Sequence, residues 1–227
     1  MAGKQVSLSV NGSPVEAYLA KASDPAAPAV LLLHPWWGLT PYFKQQCDRL
    51  AAAGITAFAP SLFGGKTAAT IPEAEALVRG SDNEQVQAVS LAALAKLRRL
   101  APQGKLGVIG FSFGAAWALV LSTLKPEDVG TVTLFYGGYP GLDFSPCKAA
   151  LLGHYAETDE WGDPMEDIRQ METEMLALGL DVTIHVYPGV GHWFFEEDRP
   201  DAYNEAAASL AWDRTLDFLR RYAGGAQ

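Results

Sequence analysis

The pentapeptide Gly110-Phe111-Ser112-Phe113-Gly114 is the stretch of the chain best suited to covalent chemistry. An apolar run, Lys105-Leu106-Gly107-Val108-Ile109, leads into it, and a helix-like run, Ala115-Ala116-Trp117-Ala118-Leu119-Val120-Leu121, leaves it. Strand, sharp turn and helix around G-x-S-x-G make a nucleophile elbow, with the serine hydroxyl held out at the carboxyl edge of a sheet. The flanking glycines remove side chains where strand and helix backbones crowd together. Because the helix starts at once, backbone N–H groups near Phe113 are left unpaired and can face a substrate carbonyl oxygen that turns negative on attack.

An elbow serine needs a base, and the chain has four histidines. His185 falls inside the expected last strand, and His34 and His154 precede or interrupt loops earlier in the chain. His192 follows the last strand in Gly189-Val190-Gly191-His192-Trp193, where backbone freedom lets an imidazole fold over the sheet edge toward Ser112. His34 reads instead as a hydrogen-bond partner for the backbone of its own loop. The third member should be a carboxylate after the strand over 149–153, and Glu157, Asp159, Glu160 and Asp163 all fit by spacing. Asp163 reads as the N-cap of the following helix, so Asp159 is preferred, with Glu160 and Glu157 as alternatives. The acid's task is to fix the histidine tautomer and to stabilise the imidazolium that forms as serine gives up its proton.

The elements that must position these groups alternate between strand and helix. Val6, Leu8 and Val10, then Asn11-Gly12, then Val15, Ala17 and Leu19 predict an antiparallel hairpin. Ala29 to Leu33 is apolar on both faces, as in a strand covered by helices on each side. His34-Pro35-Trp36-Trp37-Gly38 follows it at the edge where open α/β sheets bind ligands. Thr40 and Pro41 supply an N-cap and first position for a helix stopped by Gly54, and 55–59 is the next strand. A short helix follows Pro72, and Ser81-Asp82-Asn83-Glu84 reads as a capping box for a longer one. Strands over 129–135, 149–153 and 182–186, a helix after Asp163 and a final helix over 203–222 complete the pattern. Only residues 136–148 separate two of these strands, too few for a lid. The alternation predicts an α/β fold with a mainly parallel, doubly wound sheet flanked by helices, in one domain over residues 1–227.

Composition narrows the partners. At 49% hydrophobic and 19% charged, the chain has ample core material, and its net charge of −9 opposes binding to nucleic acid or to an anionic membrane surface. No apolar run approaches the roughly 20 residues of a membrane span. Cys47 and Cys147 have neither disulfide-framework nor metal-ligand spacing and read as buried thiols, and the N-terminus alternates polar and apolar residues where a signal peptide needs an apolar stretch. The expected location is the cytoplasm, the expected partner a small molecule, and the expected state a monomer or weak homodimer.

These motifs resemble the dienelactone hydrolase family of the α/β-hydrolases. The resemblance rests on the elbow, on His34 to Gly38, on Glu157-Thr158-Asp159-Glu160-Trp161 and on Tyr187-Pro188-Gly189-Val190-Gly191-His192-Trp193-Phe194-Phe195, continued by Arg199-Pro200 and the segment 211–219. It implies an α/β-hydrolase fold without a lid domain, a triad of Ser112, Asp159 and His192, and an oxyanion hole from the amides of Phe113 and Trp36. It also implies hydrolysis of a small ester or lactone with no metal or organic cofactor. The founding members carry cysteine in the elbow and a glutamate in the early loop, where this chain has Ser112 and Pro35. Their carboxylate-binding arginine after the histidine corresponds here to Glu196 or its neighbourhood. Trp37, Trp193 and Glu196 are therefore expected to line an aromatic, negatively charged mouth that disfavours carboxylated lactones, although Glu196, Glu197 and Asp198 read most simply as a solvated loop. A non-catalytic small-molecule binder on the same fold and a peptidase are the alternatives.

Overall fold

The structure, a computed structural model, describes residues 2–223. Eight strands form one sheet in the order β1-β2-β4-β3-β5-β6-β7-β8, comprising β1 (Lys4–Val10), β2 (Ser13–Ala20), β3 (Ala29–Leu33), β4 (Thr56–Pro60), β5 (Leu106–Phe111), β6 (Val129–Phe135), β7 (Ala150–Ala156) and β8 (Val182–Tyr187). The β1–β2 hairpin turns at Asn11 and Gly12, both in the left-handed region, and β2 joins β4 antiparallel. Every other pairing, from β4 through β3 to β8, is parallel.

Alternation along the central strands sends side chains into two separate cores. Leu31 and Leu33 of β3 and Val108 of β5 pack with α3 (Asn83–Leu100), α4 (Phe113–Leu124) and α5 (Met165–Ala177). Val30, Leu32, Ile109 and Phe111 point the other way, toward α1 (Pro41–Ala52), α2 (Ile71–Arg79) and α6 (Glu205–Ala223). This three-layer arrangement is the doubly wound sheet expected from the strand–helix alternation and the α/β-hydrolase-like fold implied by the resemblance. Among the described residues no helix is long and apolar enough to cross a membrane.

Three local expectations are corrected. Asp82, not Ser81, is the N-cap of α3 and accepts from Glu84 N–H, whereas a Glu73 carboxylate reaching back to Thr70 N–H closes the start of α2. Thr40 and Pro41 do take the N-cap and first position of α1, although the buried Thr40 hydroxyl makes no capping bond. Asp163 does not cap α5: Pro164 occupies that place, and the Asp163 carboxylate accepts instead from Gly138 N–H at 2.9 Å, tying down the loop after β6. His154, expected at a loop, lies within β7 because that strand extends to Ala156.

The elbow depends on close backbone packing. A Cβ on Gly114 would lie 2.2 Å from the Leu33 carbonyl oxygen at the end of β3, and one on Gly110 would lie 2.4 Å from the Gly114 oxygen. Both contacts are with backbone, which cannot rotate away. Gly114→Ala is expected to lower the thermal midpoint by about 2–12 °C, since overpacking costs roughly 1–3 kcal/mol and a chain of this size loses ~2–4 °C for each. Thermal unfolding followed by circular dichroism checks this.

Candidate active site

Ser112 sits between β5 and α4 with φ 48° and ψ −114°, a conformation costly for any residue but glycine. Its N–H donates to Phe135 O at 2.8 Å, and a Cβ on Gly137 would lie 2.5 Å from the Ser112 carbonyl oxygen, so β6 and its following turn hold the elbow in place. The side chain is half-buried rather than sealed. Ser112 Oγ lies 3.0 Å from His192 Nε2, and His192 Nδ1 lies 2.8 and 2.7 Å from the two Asp159 oxygens. With Nδ1–H donating to the carboxylate, Nε2 is left as the acceptor for the serine hydroxyl. Burial pushes the Asp159 carboxyl up, but the His192 contact and the Trp161 and Gly162 amides outweigh it and hold the group below the usual carboxylate range. The chain thus brings Ser112, His192 and Asp159 together from three loops at one sheet edge. Glu160 is exposed beside them, and Glu157 accepts from Gly189 N–H at 3.0 Å, which braces the histidine loop.

His34 is a structural neighbour of this edge. Its Nδ1–H donates to Pro35 O at 2.7 Å and its Nε2 accepts from Leu62 N–H at 2.9 Å, which fixes one neutral tautomer. Complete burial lowers its pKa to about 4, so it stays uncharged at neutral pH. These bonds shape the turn that carries Trp36. Phe113 N–H, in the first turn of α4, and Trp36 N–H have no hydrogen-bond partner among the described residues.

The aromatic residues divide by burial. Trp36 lies 5.6 Å from Trp161 and 6.1 Å from Trp193, ring centre to ring centre, so the loops after β3, β7 and β8 meet through indole faces. Trp161 is 45% exposed and caps the cluster. Trp37 is 1% exposed, which corrects its expected place at the mouth: it packs inward beneath Trp36 and Trp193, with the Arg199 guanidinium 3.2 Å above its ring. Trp193, with φ 62°, is also largely buried but contributes to a cavity of about 640 Å³ walled by Glu160, Trp161, His192, Asp201 and Tyr203. Ser112 is not on that wall, so the cavity flanks the histidine side of the site.

Glu196 is the second correction. It neither lines the mouth nor belongs to a solvated loop: its side chain is fully buried, and only Glu197 and Asp198 face solvent. A turn closed by Glu196 N–H donating to Trp193 O at 2.8 Å directs it inward, where it accepts from the Tyr136 hydroxyl at 2.7 Å. Burial pushes its carboxyl up to about 8, opposed by the Tyr136 hydrogen bond, by Arg199 and by the Trp37 indole N–H, and reinforced by Asp198. Tyr136 had no sequence signal, since its partner is 60 residues away and no motif links them.

Comparison with known proteins then decides the family. The sequence model of the Dienelactone hydrolase family matches residues 15–223. The chain belongs to the dienelactone hydrolase family. It is 32% identical over 231 residues to the "Putative carboxymethylenebutenolidase" of Aquifex aeolicus (strain VF5), covering 97% of this chain and 99% of that one. It is 30% identical, with the same coverage, to "Protein usf" of Aquifex pyrophilus. Among solved structures, a dienelactone hydrolase-like promiscuous phosphotriesterase from metagenomic libraries superposes with a TM-score of 0.87 at 18% identity, over 97% of this chain and 98% of that one. This last likeness is one of fold. The chain is therefore a hydrolase of the dienelactone hydrolase type.

The raised Glu196 carboxyl has a consequence for stability. The folded value of about 8 lies above the ordinary carboxyl value, so the group favours folding most when protonated, and that contribution falls as pH rises until it levels off above the folded value. Tyr136, Tyr42, Arg199, Asp198 and the Trp37 indole are the polar groups that face it. The thermal midpoint of the wild type minus that of Glu196→Gln should therefore fall steadily between about pH 5 and 8. A difference that stays flat in paired melts would show that the carboxyl ionises normally, and one that grows with pH would show that folding lowers its pKa.

Proposed function

We propose that this chain hydrolyses small esters or lactones through an acyl-serine intermediate, with Ser112 as nucleophile, His192 as general base and acid, and Asp159 as the orienting carboxylate. The observation that carries the reading is the continuous hydrogen-bonded line from Ser112 Oγ to His192 at 3.0 Å and from His192 to Asp159 at 2.7 Å. Ser112 Oγ attacks the carbonyl carbon as its proton passes to His192 Nε2. The resulting oxyanion is met by the free N–H groups of Phe113 and Trp36. Collapse breaks the carbon–oxygen bond, and the leaving oxygen takes the proton from His192. Water, deprotonated by His192, then attacks the acyl carbon and releases Ser112. Asp159 stabilises the imidazolium in both halves without itself taking the proton. Side chains and backbone of the chain carry every step, so no metal or organic cofactor enters the scheme.

The cavity beside His192 supports a preference within this class. Its aromatic faces, Trp161, Trp193 and Tyr203, suit an apolar acyl or aryl group, while Glu160 and Asp201 make the wall negative. Arg199, whose guanidinium lies against Trp37 and near Glu196, is not free to clamp a carboxylate. Neutral esters and lactones are thus favoured over carboxylated ones, in contrast to the substrate that the name carboxymethylenebutenolidase gives the Aquifex aeolicus relative. The net charge of −9 is compatible with action in the cytoplasm as a monomer or weak homodimer.

Two measurements test these statements. With a short-chain aryl ester, Ser112→Ala should lose several decades of kcat and Asp159→Asn about 10⁴, with circular dichroism unchanged. Activity of Ser112→Ala within about tenfold of wild type would exclude the serine as nucleophile. For substrate choice, neutral methyl esters should show kcat/KM at least about tenfold above the matching free acids, and the Glu160→Gln/Asp201→Asn double variant should narrow that gap. Preference for the free acids would contradict the charge argument.

A further inference from the structure

A fully buried glutamate on a loop beside the site is expensive. An apolar side chain of the same volume would pack without the cost of removing a carboxyl group from water. Glu196 is nevertheless placed where its two oxygens address two different parts of the site. On one side Oε1 accepts from the Tyr136 hydroxyl at 2.7 Å, and the Tyr136 ring packs against the His192 ring with centres 4.7 Å apart. Tyr136 holds this position at φ 42°, fixed by its N–H to His154 O at 2.8 Å. On the other side Oε2 faces Arg199 Nε at 3.7 Å and the Trp37 indole N–H, neither of them at full hydrogen-bond length. Arg199 lies over Trp37, which packs edge-on against Trp36 with ring centres 5.2 Å apart.

We propose that Glu196 is a positioning residue for hydrolysis, directing the Tyr136 ring that backs His192 with one oxygen and steadying Trp37 beneath the Trp36 turn with the other. The proposal rests on the triad reading above and extends it to residues that touch no substrate. Geometry favours this role over simple packing. Tyr136 and Glu196 come from different loops, after β6 and after β8, and the hydroxyl–carboxylate bond joins those two side chains directly. Without it the tyrosine ring loses its directional tether, and a ring shift of a fraction of an ångström reaches the imidazole directly. Either protonation state of the carboxyl can accept this bond, and so can a glutamine amide oxygen.

The test compares Tyr136→Phe, Glu196→Gln, Glu196→Leu and the Tyr136→Phe/Glu196→Leu pair. Three readouts are taken: kcat and KM on a short-chain aryl ester, thermal midpoint, and the rate at which a fluorophosphonate labels Ser112. Tyr136→Phe and Glu196→Leu should each lower kcat about tenfold while KM changes less than about twofold, because only the alignment of His192 is lost. The double variant should lose no more than the worse single, since both remove one interaction. Glu196→Gln should stay within about threefold of wild type and label Ser112 at nearly the wild-type rate. Multiplying losses, a Gln variant as slow as the Leu variant, or lower thermal midpoints with unchanged kcat per folded molecule would each overturn the proposal. If Glu196→Leu fails to fold, Tyr136→Phe against Glu196→Gln still decides, since only the phenylalanine breaks the bond. Failure of the wild type to be labelled at Ser112 would count against the triad itself, whereas normal labelling with an unaffected Tyr136→Phe would count against Glu196 alone.

Discussion

The rest of the structure follows from how closely the start of α4 is pressed against the end of β3. Glycine at 114 lets helix backbone come within contact of the Leu33 and His34 carbonyls, a distance at which any Cβ would collide. The same close approach goes with the strained turn at Ser112, φ 48°, between β5 and α4. The cost of the strain is offset by burial around it: Phe111 before the turn and Ala115, Ala118 and Leu119 after it are almost wholly removed from water. The sheet thus fixes Ser112, and its neighbours must be brought to it.

Loops do that work, and they are joined by two kinds of contact. Hydrogen bonds are directional and hold the His192 ring between Ser112 and Asp159, while the Asp159 oxygen that accepts from the Trp161 and Gly162 amides keeps its own loop folded around the acid. Indole faces give area instead of direction, and Trp36, Trp161 and Trp193 bring the loops after β3, β7 and β8 against one another. Aromatic pairs contribute beyond their buried area by about 0.5–1.5 kcal/mol each, enough to matter where loops have little other core. A site assembled this way needs no lid to be ordered, and residues between β6 and β7 form neither helix nor strand of their own.

Much of this could be read from the residues because the signals are local. The Ala29–Leu33 strand is an unbroken apolar run, Val129–Phe135 is rich in β-branched and apolar residues, both appear at the expected bounds, and G-x-S-x-G announces its own strand–turn–helix context. The proximity of Asp159 to His192 followed from chain order and the resemblance to the family, with spacing alone unable to separate it from Glu160. Side-chain direction in loops was not legible. Glu196 looked like one of three solvated acids, but the turn at Trp193 rotates it inward, and its partner Tyr136 is set by the packing of β6 against the elbow. The inward direction of Trp37 is hidden in the sequence for the same reason: two adjacent indoles share a motif, yet one faces the cluster surface and the other the core beneath it. Asp163 shows the same limit from another direction, since a carboxylate next to a helix start can equally reach across to Gly138.

The central claim is that Ser112 becomes covalently acylated during turnover. Rapid quenching of the protein into acid within the first turnover of a short-chain aryl ester, followed by intact-mass and peptide mapping, measures this directly. The account predicts a mass increase equal to the acyl group, confined to the peptide containing Ser112 and lost with time as water completes the cycle. Substrate turnover with no acyl group on Ser112 at any quench time, or with the adduct on another side chain, would contradict it.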